Sequence, residues 1–276
     1  ASGISVKRII HPVLSVVRDD ALTLTDISRK RVDGQARESF IYLETERVDA
    51  RERRQLEARL NAVLADVRGA VTDWRDMLAA LSADADSLPE SEGAALLRWF
   101  SKNNMTVLAH ERISRDGTRS DRLGLSRVTD APVLAEDSVG LAIKWFEDGG
   151  VAPLVLKSNR VSTVHRNVQL DLIVIPVTTG DRITGVAVTA GLWTSAALAT
   201  TPEAIPVLRT HLAALMDRFG FDPSGHAGKA MAHALTALPH DLLVALKLDD
   251  LERVTLTAMS LTDRPRPKLI ALRSPL

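Results

Sequence analysis

The sequence predicts an α+β fold in which helices cover antiparallel β-sheets. Short segments with β-branched or alternating apolar residues are separated by turn sequences, which is typical of antiparallel strands. One long segment instead has apolar residues at every third or fourth position, which predicts an amphipathic helix. Apolar residues make up 45% of the chain and aromatic residues only 4%, so the core must consist mainly of aliphatic side chains.

The first 47 residues are predicted to be mostly strand. Residues 4–17 are apolar and β-branched with an interruption at His11-Pro12, and a second strand is expected at residues 22–27. Residues 39–45 alternate in a way that suits a sheet strand. Asp33-Gly34 lies before this last strand and predicts a turn.

The long helix is predicted to begin after Asp49. This residue is a favourable N-cap, and Glu52 follows three positions later, as in a capping box. Apolar residues then recur over residues 56–81, which gives a helix of about 30 residues and about 45 Å. A helix of this length could join domains or pack against a partner. An ordinary long core helix is favoured, since coiled coils need more heptads.

The rest of the chain predicts a central α+β part followed by helices. Residues 82–92 are polar and contain Pro89, which indicates a domain boundary. Gly180-Asp181 predicts a hairpin between two central strands. The predicted strands are residues 105–114, 122–128, 154–157, 169–178, 182–192 and 267–273. The predicted helices are residues 94–100, 138–146, 201–219, 229–238 and 248–261.

Three segments follow from this pattern. Residues 1–85 contain the first strands and the long helix, and residues 86–220 form an α+β domain. Residues 221–276 form a helical segment that leads into a strand of a following domain.

Composition excludes several classes of protein. The 35 Lys and Arg residues balance the 35 Asp and Glu residues, which argues against a dedicated nucleic-acid-binding protein. The chain has no cysteine, which excludes disulfides and thiol catalysis and fits a cytoplasmic location. No apolar run approaches the length of about 18 residues that is needed to span a membrane.

Motifs for nucleotide, metal or hydrolase chemistry are missing from the sequence. There is no GxGxxG, HExxH or GxSxG. A phosphate loop with Gly228 as its second glycine would need its first glycine at residue 223, which is proline. His226, His233 and His240 are spaced by seven, but glycine and proline interrupt any continuous helix. Surface or capping roles are therefore favoured for them over a zinc site. We predict no catalytic, cofactor-binding or metal-binding residue in this chain.

Residues 157–171 are the most distinctive segment of the sequence. Several cations and hydroxyl groups precede an apolar strand there: Lys157, Arg160, Ser162, Thr163, His165 and Arg166. Such groups could bind the carboxylate or phosphate of an effector. They could instead pair with acidic groups of another domain or of a parent protein. This second interpretation is favoured because structural ion-pair networks are common.

Several sequence pieces, in order and with matching spacing, cover nearly the whole chain. They are HPVL (11–14), ESFIYLE (38–44), LADVRGAVTDW (64–74), LLRWF (96–100), KSNRVSTVHRNVQLDLIVI (157–175), GLWTSAA (191–197), IPVLR (205–209), GFDPSGHAGKA (220–230) and RPRPKLIALRSP (264–275). Together they resemble the amino-terminal regulatory region of the large bacterial NAD-specific glutamate dehydrogenases.

This resemblance implies a regulatory part of a longer enzyme that deaminates L-glutamate to 2-oxoglutarate and ammonia while reducing NAD. It also implies ACT-like and PAS-like modules, assembly into a homo-oligomer, and an amino-acid effector. The catalytic domain and its NAD would lie downstream, so no catalytic residue of the family can be transferred here. The missing initiator Met and the predicted strand at the end of the chain lead us to expect a fragment.

Two alternative functions stay open at this point. The first is a sensor that binds an amino acid or another carboxylate near Lys157, Arg160 and Arg166. The second is a free-standing enzyme of unknown class. A second copy of the chain is the expected macromolecular partner, whereas neither nucleic acid nor a membrane is expected.

Overall fold

All strand pairs in the described part of the chain are antiparallel, as the sequence predicts. A computed structural model describes residues 4–236, 238–261 and 267–272. Two compact units are present, residues 1–62 and 63–276. The fold is α+β, which confirms the predicted class.

The first unit contains short strands that form two sheets. They are β1 (Val6–Ile10), β2 (Val13–Arg18), β3 (Leu24–Ser28), β4 (Ala36–Ser39) and β5 (Tyr42–Thr45). One sheet has the order β3-β2-β4 and the other pairs β1 with β5. The backbone N–H of Phe40, between β4 and β5, donates over 3.0 Å to the carbonyl of Pro12, between β1 and β2. The predicted interruption at His11-Pro12 is confirmed, while the strand predicted at 39–45 starts later because Phe40 and Ile41 separate β4 from β5.

The long helix begins where the sequence predicts. Its first part is α1 (Ala50–Thr72). Oδ1 of Asp49 accepts hydrogen bonds from the backbone N–H groups of Arg51 at 2.7 Å and Glu52 at 2.8 Å. The N–H of Asp49 donates to Oε2 of Glu52 at 3.4 Å. The predicted capping box is therefore confirmed, and it supplies acceptors to amides that the first helical turn leaves unpaired.

The prediction of one uninterrupted helix is wrong, because Asp73 divides it. The second part, α2, spans Trp74–Ser87. Asp73 has φ −96° and ψ 6°, and its carboxylate accepts no hydrogen bond from the first turn of α2. Oδ2 accepts hydrogen bonds from the N–H of Gly124 and from Nε of Arg127, both at 2.8 Å. The side chain that interrupts the helix thus binds a segment 51 residues further along the chain.

The second unit is built on a five-stranded sheet. Its strands are β6 (Met105–Ser114), β7 (Arg119–Gly124), β8 (Leu154–Val161), β9 (Gln169–Thr179) and β10 (Arg182–Trp193). The order is β7-β6-β10-β9-β8. Gly180, at φ +59°, closes the predicted hairpin between β9 and β10, which is confirmed.

Helices cover both faces of this sheet. They are α3 (Glu92–Trp99), α4 (Leu125–Val128), α5 (Glu136–Glu147), α6 (Ser195–Ala199), α7 (Leu208–Phe219), α8 (His226–Thr236), α9 (His240–Leu243) and α10 (Leu248–Met259). One face packs Ile173 and Ile175 into a core with α2, α3, α7, α8 and α10. The other face packs Leu172 and Val174 against α5. The alternation along β9 follows from the period of two in a strand.

The strand predicted at 122–128 is partly wrong. β7 ends at Gly124, and residues 125–128 form α4. Gly124 has φ +60°, and a Cβ at this position would lie 2.2 Å from the carbonyl oxygen of Leu108. Glycine is therefore required where the chain turns from strand to helix.

Two predictions near the carboxyl end also differ from the structure. The helix predicted at 201–219 is split into a 3₁₀ turn at Pro202–Ala204 and α7, because Val207 adopts φ +72°. Residues 267–272 do not form the predicted strand, and residue 273 lies outside the described residues.

The two compact units differ from the three predicted segments. α2 crosses the predicted boundary at residue 85, and it contributes Met77 and Leu81 to the helix-covered core of the second unit. Residues of α8 and α10 belong to the same core. The division at residues 85 and 220 into ACT-like, PAS-like and helical segments stays a prediction.

We expect Asp73→Ala to lower the free energy of unfolding by about 1–3 kcal/mol, because the buried N–H of Gly124 would lose its acceptor. The Arg127 pair contributes less, since its guanidinium is half exposed. The Arg127 hydrogen bond holds the pKa of Asp73 below its usual value, although burial opposes this. The stabilisation is therefore present above the unfolded pKa of about 3.9 and is lost as pH falls through the folded pKa.

Urea denaturation at pH 7 and at acidic pH measures this effect. Asp217→Ala, which removes an exposed carboxylate from α7, is the matched control and should change stability by less than about 0.5 kcal/mol. Equal stability of the two variants would contradict the role given to Asp73.

Candidate functional site

The predicted cationic cluster lies on β8 and on the connection to β9. Lys157 and Arg160 belong to β8, while Ser162, His165 and Arg166 belong to the connection. β8 pairs with β9 so that Lys157 stands opposite Asp171. This register places the lysine directly beside a carboxylate of the neighbouring strand.

Lys157 forms two ion pairs within the second unit. Its Nζ lies 2.5 Å from Oδ1 of Asp171 and also contacts Oδ2 of Asp241, which belongs to α9. The side chain of Lys157 is 35% exposed, whereas those of Asp171 and Asp241 are 2% and 19% exposed. One lysine therefore bridges a deeply buried carboxylate and a helical carboxylate 84 residues away.

The environment changes the pKa of both partners in this pair. Burial raises the pKa of Asp171 to about 6, although Lys157 acts in the opposite direction. Burial alone would lower the pKa of Lys157, but the hydrogen bonds to Asp171 and Asp241 outweigh it and raise the pKa. Asp171 carries the larger cost of desolvation because it is the more deeply buried partner.

Arg166 reaches the same place from the β8–β9 connection. One of its Nη atoms donates to the backbone carbonyl of Trp193 at the end of β10. Lys157, Arg166, Asp171, Trp193 and Asp241 line a cavity of about 230 Å³. Four polar atoms of these residues are buried without a hydrogen bond among the described residues. Oδ1 of Asp171 is one of them, but it forms the ion pair with Lys157. The other three have no partner: Nε of Arg166, Nε1 of Trp193 and Oδ1 of Asp241.

The other predicted residues lie apart from this cavity. Arg160 lines a second cavity of about 340 Å³ and donates to the carbonyl of Ala131 at 3.4 Å. Ser162 is buried and its Oγ donates to the carbonyl of Val164 at 2.7 Å, as in a turn. His165 is exposed with φ +69°, and Oγ1 of Thr163 donates to Asp66 at 2.6 Å. The structure thus places Lys157 beside Arg166 at the first cavity and beside Arg160 at the second, while Ser162 and His165 line neither.

Sequence reasoning missed Asp171, Trp193 and Asp241. Asp171 could have been found, because an acidic residue inside the apolar run of β9 needs a partner and the hairpin register supplies Lys157. No pattern in the neighbouring sequence marks Trp193 or Asp241 as a site residue. They join the cavity only through tertiary packing.

A second buried polar cluster joins α2 to the sheet. His110, Asp84 and Thr189 are all buried, and Nδ1 of His110 lies 3.0 Å from Oγ1 of Thr189. Arg112 donates to Oδ1 of Asp84 at 2.9 Å. Burial raises the pKa of Asp84 to about 6 and lowers that of His110 to about 4, so the imidazole is neutral at pH 7. The groups satisfy one another, which indicates a structural role.

The described residues contain neither a metal-binding cluster nor a membrane-spanning helix. No group of three or more His, Cys, Asp or Glu side chains suited to a metal ion occurs among residues 4–236, 238–261 and 267–272. Within the same residues, no helix is both long enough and apolar enough to cross a bilayer. His226 and His233 are exposed, as expected, but the surface role favoured for His240 is wrong because this residue is 4% exposed.

Two family models match parts of the chain. Residues 1–60 match the ACT1 domain of glutamate dehydrogenase, and residues 205–264 match its helical motif 1. The NAD-specific glutamate dehydrogenase of Pseudomonas aeruginosa is 30% identical over 99% of this chain. That of Halomonas elongata is 28% identical over 97% of it. This chain belongs to the NAD-specific glutamate dehydrogenase family. The resemblance stated from the sequence is thereby confirmed.

The family matches correspond to parts of the fold. The ACT1 match ends within two residues of the boundary of the first compact unit, residue 62. The helical motif covers α7 to α10, including Asp241. The chain spans about 18% of the length of each of the two relatives.

We expect Lys157→Met to destabilise the second unit by about 1–3 kcal/mol at pH 8, because Asp171 and Asp241 lose their shared cation. This value is below that of fully buried pairs, since the lysine is 35% exposed. The pKa of Asp171 would rise above about 6. The native state would then bind more protons than the unfolded state over a wider pH range. The free energy of unfolding would therefore fall as pH rises from about 4.

Urea denaturation at pH 4.5 and pH 8 tests this expectation, and the loss should shrink at the lower pH. Lys144→Met is the control, because Lys144 is 70% exposed and pairs with Asp148 on the surface of α5. A loss that is the same at both pH values would indicate lost packing, not a lost ion pair.

Proposed function

We propose that this chain is a non-catalytic regulatory and assembly segment of an NAD-dependent glutamate dehydrogenase. The parent reaction would convert L-glutamate and NAD to 2-oxoglutarate, ammonia and NADH. The family membership carries this proposal, because both relatives bear the name NAD-specific glutamate dehydrogenase and the matched models are an ACT1 domain and a helical motif. The family membership also argues against a free-standing enzyme of unknown class.

The internal pairing of the charged clusters supports a non-catalytic role. Lys157 pairs with two carboxylates, and Asp84 pairs with Arg112, so these ion pairs form within the fold. We assign NAD binding and catalysis to parts of the longer enzyme beyond this segment. A PAS-like or ACT-like character for residues 86–220 and a cytoplasmic location complete the proposal. The five-stranded antiparallel sheet with helices on both faces supports the former.

Self-assembly through the first unit is the second part of the proposal. Ser15 and Val16 are the only buried residues in the described part of this unit. Large apolar side chains are exposed on β1 and β5, including Val6, Ile9, Ile10, Tyr42 and Leu43. Each of these two strands pairs on one edge only among the described residues. Unpaired strand edges with apolar side chains favour pairing with another chain, and a second copy is the partner that the ACT-like resemblance implies.

A second candidate function is the sensing of an amino acid or another carboxylate. The cavity between Lys157, Arg166 and Asp241 favours it, because three buried polar atoms there lack partners among the described residues. Buried polar groups in native proteins are normally hydrogen-bonded to protein, water or a ligand.

The purified chain should show no glutamate-dependent reduction of NAD and no saturable NAD binding. The reason is that the segment is assigned regulation and assembly only. Absorbance of NADH and calorimetry with NAD measure the two properties, with the full-length Pseudomonas aeruginosa relative as the active control. Turnover by the purified chain would contradict the proposal.

We expect the chain to self-associate, and Ile9→Asp to weaken association at least tenfold. Burying one isoleucine on each of two copies contributes about 1.5–3 kcal/mol per side chain, which a buried carboxylate would remove. Sedimentation velocity over a range of concentrations measures the equilibrium. Leu141→Asp, on the exposed face of α5, should leave it unchanged. A chain that sediments as a monomer at every concentration would remove the assembly role.

A further inference from the structure

The cavity at the end of β10 contains equal numbers of positive and negative side chains. Lys157 and Arg166 contribute two cations, and Asp171 and Asp241 contribute two carboxylates. The charges therefore sum to zero around a space of about 230 Å³. A simple anion would find the charge of Lys157 already neutralised, and a simple cation would meet Arg166. The charge balance favours a ligand that carries both signs.

The unpaired atoms are divided in the same way. Nε of Arg166 and Nε1 of Trp193 can only donate a hydrogen bond, whereas Oδ1 of Asp241 can only accept one. Trp193 is 1% exposed and Asp171 is 2% exposed, so one side of the cavity is deeply buried, while Val168 and Gln169 on the other side are exposed. A ligand with an acceptor group at one end and a donor group at the other would complete these hydrogen bonds.

We propose that this cavity binds a small α-amino acid as its zwitterion. The carboxylate would accept hydrogen bonds from Nε of Arg166 and Nε1 of Trp193. The ammonium group would donate to Asp241 and Asp171, beside Lys157. The inference rests on the proposed regulatory function, which supplies the reason for a ligand site in a segment without catalysis.

The size of the cavity limits the side chain of the ligand. Its volume of about 230 Å³ is below the range of about 300–1,000 Å³ that is usual for drug-sized ligands. The four charged side chains are already balanced, so a third charge on the ligand would have no partner. A small uncharged side chain, as in alanine or serine, fits both limits.

Calorimetry of the purified chain tests the proposal with four probes. L-Alanine or L-serine should bind saturably. Pyruvate, which has the carboxylate without the ammonium group, and ethylamine, which has the ammonium without the carboxylate, should bind at least tenfold more weakly. Equal binding of pyruvate, or no saturable binding of either amino acid, would overturn the proposal.

Variants of the cavity residues supply a second test of the proposal. Arg166→Gln and Asp241→Asn should each weaken L-alanine binding at least tenfold. Trp193→Phe keeps an aromatic ring in the core while removing the N–H, and it should weaken binding severalfold. Arg160→Gln is the matched control, because Arg160 belongs to the same segment but lines the other cavity. Unchanged binding by a folded Arg166→Gln or Trp193→Phe variant, checked by thermal melting, would overturn the assignment.

A crystal structure of the chain grown with L-alanine would show the ligand or ordered water in the cavity, and water alone would overturn the proposal.

Kinetics of the full-length relative separate this inference from the proposed function. If its activity responds to loss of this segment while the chain binds no amino acid, the inference fails and the regulatory function stands. If the chain binds L-alanine but neither loss of the segment nor L-alanine changes activity, the regulatory function fails and the site stands.

Discussion

The burial of β9 on both faces is the constraint on which the second unit depends. Residues 170–175 are all buried, and they alternate between the core under α5 and the core under the other helices. A strand in this position must be apolar on both sides, and it fixes the register of its neighbours. Asp171 is the exception within it. Its carboxylate can stay ionised there only because the adjacent strand places Lys157 beside it.

Charged pairs join the helices to the sheet at two separate places. Asp241 of α9 binds Lys157 of β8, and Asp84 of α2 binds Arg112 of β6. Removing charges from water costs much of what the pairs gain, so such contacts contribute little net stability compared with the apolar cores. They instead penalise any packing in which a helix shifts along the sheet, because a shift leaves a buried carboxylate without its cation.

The elements that could be predicted are those whose signals are local. The apolar run of β9, the Gly180-Asp181 turn and the capping box at Asp49 and Glu52 are each contained in a few neighbouring residues. The helix break at Asp73 could not be predicted, because the groups that its carboxylate binds, Gly124 and Arg127, are distant in sequence. For the same reason the sequence revealed Lys157 and Arg166 as unusual but not their partners Asp241 and Trp193. Arg160, Ser162 and His165 share the segment, yet the course of the β8–β9 connection places them elsewhere.

The shortness of α9 has a consequence for local unfolding. A helix of four residues has almost no stability of its own, so tertiary contacts hold this part of the chain in place. The bond between Asp241 and Lys157 is one such contact, and it spans the wall of the cavity. Release of this turn from the sheet and opening of the cavity are therefore the same event. Amide hydrogens near residues 240–246 would exchange through that opening at a free energy well below that of global unfolding.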